Sequence, residues 1–235
     1  MTRLLHDTLE TLSGSLNYQA WIYHQLRAHL GLKILDIGSG LGDLAGYFGT
    51  DGGRAIMISD ADHELVARLR HRYAGRPNYR VVRLCIVEGP GPGLSSLGSF
   101  DAITCVNVLE HIRCDRKALM NMHRLLAHDG KLLLVVPALR CLFGAVDRAV
   151  GHYRRYTAHQ LTRKLRQAGF VIEQQRHMNF FGLFTWWLGS RLLKQRMFRA
   201  SICQGLDRFV PWFERLERMW TPPVGQSLVT ICRKA

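Results

Sequence analysis

The chain predicts an α/β fold, a parallel sheet with helices on both faces. Short apolar runs of about five residues alternate with stretches whose apolar residues recur at helical spacing, from Lys33 to Pro137. The first run opens directly into glycine-rich backbone, GSGLGD, as a strand does when it turns into a helix beneath a ligand. At 235 residues, 47% of them hydrophobic, the chain can bury one large core, and the whole of 1–235 reads as a single domain.

The elements follow in order. Ala20, Trp21, Tyr23, Leu26 and Leu30 recur at helical spacing, so 17–30 reads as a helix stopped by Gly31, a flap ahead of the sheet. Lys33–Gly38 is a buried strand, Leu41–Phe48 a helix, and Arg54–Ser59 a second strand ending at Asp60. Asp62 can cap a helix over Glu64–Tyr73, and Tyr79–Ile86 is the third strand. EGPGPGLSSLGS is a Gly/Pro loop before the fourth strand, Phe100–Val106. Asp115 can cap a helix on which Leu119, Met122, Leu125 and Leu126 share a face; Lys131–Val136 is the fifth strand, closed by Pro137. Residues 33–137 therefore read as the ligand-binding core, with every strand's C-terminal end on one rim.

Beyond Pro137 the pattern changes. Thr157 and Gln160 form a capping box for a helix that ends at Gly169. Phe170–Arg176 and Ser227–Cys232 read as two further strands, and the aromatic, basic stretch 179–222 between them as a helical lid or acceptor-side insertion.

Charge divides the chain. Residues 1–130 hold 14 Lys and Arg against 13 Asp and Glu, net +1, whereas residues 131–235 hold 18 against 5, net +13. Such asymmetry calls for an anionic partner, or else serves as a solvated basic surface. The six cysteines show no C-x-x-C spacing and the N-terminus shows no signal-peptide apolar stretch, so free thiols in a reducing cytoplasm are expected. The longest apolar run, Phe180–Gly189, is too short to cross a bilayer, although Trp beside Arg and Lys there suits peripheral contact at the inner membrane face.

The glycine loop is specific about its ligand. Gly38 and Gly40 let a ligand approach the backbone, but Asp43 stands where a dinucleotide loop has its third glycine. Asp36 at the mouth of the first strand repels a pyrophosphate and suits a cation. Asp60, at the end of the second strand, suits a ribose diol. A nucleoside with a positive group and no phosphate fits, as S-adenosylmethionine does; a nicotinamide dinucleotide does not.

These residues resemble a family. LDIGSGLGD, SFDAITCVNVLEHI and LLAHDGKLLLVVPA are similar to the glycine loop, the strand-4 and the strand-5 signatures of the class I S-adenosylmethionine-dependent methyltransferases of small-molecule type, from about Asn17 to Cys232. NYQAW (17–21) and GHYRRYT (151–157) resemble motifs of a bacterial type 11/12-like subgroup whose members often accompany glycosyltransferases acting on lipid-phosphate carriers. The resemblance implies a Rossmann-like, mostly parallel seven-stranded sheet of order 3-2-1-4-5-7-6 with strand 7 antiparallel. It implies that Asp36 acts near the methionine ammonium, that Gly38 and Gly40 pass beneath the ligand, and that Asp60 takes the ribose. Cys85 and Ile86 would flank the adenine, with Cys85 standing where the family commonly has Asp. Asn107 would lie beside the methionine end, and Tyr18 would cover the cofactor.

Three residues compete for a base: His111, one helical turn after Asn107; His152; and Tyr156. Arg154 and Arg155 would clamp an anionic group on the acceptor, and Trp186 would line an apolar acceptor pocket. No metal is expected, because Asn107 replaces the first carboxylate of the E-x-x-E-H stretch that binds divalent ions in some similar enzymes. The implied function is methyl transfer to a small-molecule or lipid-like acceptor at oxygen. An RNA methyltransferase using the basic half, disfavoured by the lack of an N-P-P-Y-like motif after strand 4, and a non-catalytic scaffold with a remnant cofactor site are the alternatives.

Overall fold

Alternation of apolar runs with amphipathic stretches produces seven strands in one sheet: β1 (Lys33–Ile37), β2 (Ala55–Asp60), β3 (Tyr79–Arg83), β4 (Phe100–Val106), β5 (Leu126–Pro137), β6 (Phe170–Met178) and β7 (Ser227–Lys234). The structure is a computed structural model that describes residues 9–11, 13–50, 52–89, 99–192 and 200–235. The strand order is β3-β2-β1-β4-β5-β7-β6. β1 to β5 pair in parallel, and β7 runs antiparallel between β5 and β6. This is the Rossmann-like arrangement expected, with its last two strands in the expected exchange. The Gly/Pro loop falls largely outside the described residues.

Side-chain alternation along the strands feeds two apolar layers. Ile34, Ile56, Ile58, Ala102 and Leu133 face helices α1 (Leu16–Leu26) and α2 (Asp43–Phe48) and Leu69 of α3 (His63–Arg72). Leu35, Ile37, Ile103, Leu132 and Leu134 face α4 (Asp115–Leu125) and α6 (Ala158–Gln167). Trp21, Ile22, Tyr23 and Leu26 of α1 are buried, so this helix is part of one core layer, and its last turn tightens into a 3₁₀ turn, Arg27–His29. β3 stops at Arg83, three residues short of the expected Ile86, and β5 begins at Leu126.

Caps explain several boundaries. Asp62 accepts the N–H groups of Glu64 and Leu65 at the start of α3, and Thr157 accepts that of Gln160 at the start of α6. Asp115 does not cap: it is the first residue of α4, and Cys114 precedes the helix without a side-chain bond. Its carboxylate turns instead to Tyr156, Arg154 and Lys164.

Between β6 and β7 the chain forms α7 (Phe180–Trp186), a π-helical turn (Trp187–Leu192), α8 (Ala200–Asp207) and α9 (Val210–Met219). Asp207 at the end of α8 accepts the N–H groups of Asn17 and Tyr18, which α1 leaves unbonded in its first turn. Glu217 of α9 does the same for Asn179 and Phe180 at the start of α7. No helix among the described residues is long and apolar enough to cross a membrane. The six cysteines are free thiols.

Candidate active site

Parallel pairing puts the C-terminal ends of β1, β2, β4 and β5 on one rim, and the loops leaving them carry the polar residues singled out in the sequence. After β1 the backbone turns through left-handed conformations at Gly38 (φ +68°) and Gly40 (φ +58°). A Cβ at Gly38 would run into the side chain of Val108, so the loop after β4 closes down on the glycine loop. β2 holds the loop from the other side, because Ser39 N–H donates to Ser59 O and Gly40 N–H to Asp60 Oδ2.

Asp36 is 3% exposed, and Thr104 Oγ1 of β4 donates to its Oδ1. Burial pushes its carboxyl up to about 6. Asp60, also buried, accepts Gly40 N–H and Asp62 N–H, and burial raises its carboxyl too. Among the described residues neither acid pairs with a Lys, Arg or His side chain. Two buried carboxylates with spare lone pairs and no cation suit a ligand that brings an ammonium and a hydroxyl pair, and the glycines give it access to the backbone.

Beyond β3, Leu84 N–H donates to Asp60 O, which sets the half-buried Cys85 and buried Ile86 beside the same rim. The Ile86 carbonyl accepts from Asn121 Nδ2 at 2.7 Å, so that oxygen is engaged within the protein. Asn107, the residue after β4, is exposed and in the left-handed region (φ +53°), a conformation Asn tolerates and most side chains avoid. Tyr18 reaches the start of β7, its hydroxyl 3.4 Å from Ser227 Oγ.

The loops after β4 and β5 meet in a second cluster. Asp147 of α5 (Ala145–Ala149) is fully buried and accepts from His152 Nδ1 (2.8 Å), Arg155 Nε (2.9 Å) and Gly144 N–H (2.9 Å). These donors hold its carboxyl below the usual range against the upward push of burial. A carboxylate only accepts, so the His152 proton sits on Nδ1 and the lone pair of the neutral ring on Nε2. That Nε2 lies 3.8 Å from Glu110 Oε1, and the His152 ring stands edge-on to His111 at 4.5 Å.

Glu110 is fully buried, and neither carboxylate oxygen has a hydrogen-bond partner among the described residues. Burial lifts it to about 7, and the same cause, with His152 nearby, drops His111 to about 4. One oxygen of Glu110 and one nitrogen each of His111 and His152 lie within 4.8 Å of one another, a spacing at which such ligands can share a cation.

Two expectations are corrected here. Tyr156 is 1% exposed, its hydroxyl donates to Asp115 Oδ2, and burial beside that carboxylate pushes the phenol far up, so it is a buried strut and no base. Arg155, 2% exposed, is spent on Asp147 and the Ala138 carbonyl and stacks on Trp186 with its guanidinium 4.5 Å from the ring. It cannot clamp an acceptor, and Trp186 packs on Arg155, Val146 and Val150. Arg154 is bonded to Asp115 and the Arg113 carbonyl. Sequence reading missed Asp147 and Glu110. The signal was there for Asp147: an acid close before the histidine motif, in a half of the chain with only five acids.

A family model described as a methyltransferase domain matches residues 1–175. The ubiquinone biosynthesis O-methyltransferase of Chromobacterium violaceum is 27% identical over 165 residues, 64% of this chain and 69% of that protein. The mitochondrial enzyme of the same name from Schizosaccharomyces pombe is 27% identical over 133 residues, 57% of this chain; the match spans only 47% of that relative's length. Among solved structures, magnesium protoporphyrin IX methyltransferase from Synechocystis, with bound SAH, superposes with a TM-score of 0.59 at 14% identity, covering 94% of this chain and 84% of that one. With the glycine loop, the two buried carboxylates beside it and the strand order all in place, the chain belongs to the class I S-adenosylmethionine-dependent methyltransferases.

Proposed function

We propose that the protein transfers a methyl group from S-adenosylmethionine to a hydroxyl oxygen of a small or lipid-like acceptor, with His152 as the base. The observation that carries this is the Asp147–His152 pair, which leaves one ring nitrogen free as an acceptor on the rim that holds the glycine loop. The names of the two curated relatives, both O-methyltransferases of ubiquinone biosynthesis, support oxygen and an apolar acceptor body.

Asp36 would hold the ammonium, Asp60 the ribose hydroxyls, and the backbone at Gly38 and Gly40 the body of the cofactor. Bound there, the cofactor supplies a methyl group already activated on a sulfonium, so the protein's work is mainly positioning. His152 Nε2 takes the acceptor's hydroxyl proton as oxygen gains the methyl. Asp147, already ionised, steadies the imidazolium that forms.

The test is a labelled methyl donor offered to the protein with total lipid and small-molecule extract, read by mass spectrometry, alongside RNA. A methyl ether product made by the wild type and slowed about 100-fold or more by His152→Ala is expected. Label only in RNA would replace the reading with an RNA methyltransferase. No transfer to any fraction by a protein that binds S-adenosylhomocysteine would favour the scaffold.

A further inference from the structure

The helices between β6 and β7 carry apolar surface that the rest of the described chain leaves open. Phe184, Trp187, Trp212, Met219 and Trp220 are 60%, 50%, 56%, 80% and 48% exposed. Three of the aromatics are joined through two others: Phe184 and Trp220 both stand 5.4 Å edge-on to Phe180, which meets Phe181, which meets Trp212 at 6.3 Å. On α9, Phe213, Glu214 and Glu217 turn inward, while Trp212, Arg215 and Met219, at i, i+3 and i+7, form the outer stripe. On α8, Ile202 and Leu206 are exposed at i and i+4.

Charge on this segment is sorted by depth. Residues 179–222 hold seven Lys and Arg and three acids, Asp207, Glu214 and Glu217. Each acid is 7% exposed and bonded within the protein: Asp207 and Glu217 to helix N-termini, Glu214 to His24 and Arg218. Arg208, Arg215 and Arg218 stay exposed. The outer face therefore shows cations and large apolar side chains, with the negative charge withdrawn beneath it.

We propose that this face docks on an anionic lipid surface, the aromatic and aliphatic side chains entering the head-group boundary and the arginines meeting phosphates. A second copy of the chain would set cation against cation. Nucleic acid would leave Met219, Ile202 and Leu206 facing a polyanion they cannot use. The inference does not depend on the acceptor or on the base.

The test is flotation of the full chain with vesicles of phosphatidylcholine alone and with phosphatidylglycerol added, at low and physiological salt. Binding only to the anionic vesicles, weakened by salt, is expected. Met219→Glu and Arg215→Glu, both on the open stripe, should each lower the bound fraction about tenfold, the loss expected of one apolar anchor or one charge reversal at such a surface. Melting temperature and S-adenosylhomocysteine affinity should stay at wild-type values. Failure of the wild type to float with anionic vesicles at low salt overturns the proposal. So does a wild-type bound fraction for both variants, or a concentration-dependent dimer that Met219→Glu abolishes.

Discussion

Asp36 and Asp60 are buried beside a hydroxyl and backbone N–H groups, whereas Asp147 and Asp115 are buried beside His152, Arg155, Arg154 and Lys164. Burial acts alike on all four, but the first pair is raised and the second lowered. A carboxylate buried with cations is already compensated within the fold. One buried without them keeps its electrostatic demand for something that arrives later. Glu110 sits in the second region yet behaves like the first pair: its carboxyl is raised, and among the described residues neither of its oxygens accepts a hydrogen bond.

The contrast can be broken most forcefully at Arg155. Arg155→Leu takes the guanidinium from Asp147, leaving it His152 and the Gly144 N–H, and should cost about 4 kcal/mol in urea unfolding, in the range for breaking a buried pair. A loss under about 1 kcal/mol would show that water reaches Asp147. Glu110→Gln should do the opposite. An acid whose folded value is raised to about 7 stabilises fully below its unfolded value near 4.5, and that stability is lost as pH rises through 7. The variant should therefore exceed the wild type by about 3 kcal/mol at pH 8 and match it near pH 4, when melting curves are compared across that range.

Asp36→Ala sharpens the other side. Calorimetry should show S-adenosylhomocysteine affinity falling about 100-fold, roughly 2.7 kcal/mol, with no loss of ligand-free stability. Because Asp36 is ionised above about 6, ligand-induced stabilisation of the wild type should be larger at pH 7.5 than at pH 5. The smallest effect is expected for Tyr156→Phe, which removes one buried hydroxyl from Asp115 and should cost about 1–2 kcal/mol with its other cations retained. Unchanged chemical denaturation would mean that Arg154 and Lys164 alone satisfy Asp115.

Much of this was legible in the chain because it is local. The glycine loop, the cap at Asp62 and the alternation that builds β1 to β5 are all written within ten or so residues of where they act, and the sheet follows from them. What stayed hidden is non-local. Asp115 looked like a cap because its neighbours allow one, but Lys164, 49 positions later, claims the carboxylate. Asp207 caps α1 from 190 positions away. Arg155 looked like an anion clamp until the fold brought Asp147 and Trp186 around it. Glu110 stands out because, among the described residues, its carboxylate accepts no hydrogen bond, a property that no stretch of sequence displays.

The position of β7 has a consequence for how the molecule is made. Leu132 and Cys232 pair although they stand 100 positions apart, and among the described residues β6 pairs with β7 alone. On the ribosome, β1 to β5 can zip together as they emerge, while β6, its apolar side against α6, still lacks a strand to pair with. Only when β7 slides in between does that flank close, so the facing edges of β5 and β6 are the last backbone groups in the sheet to be satisfied.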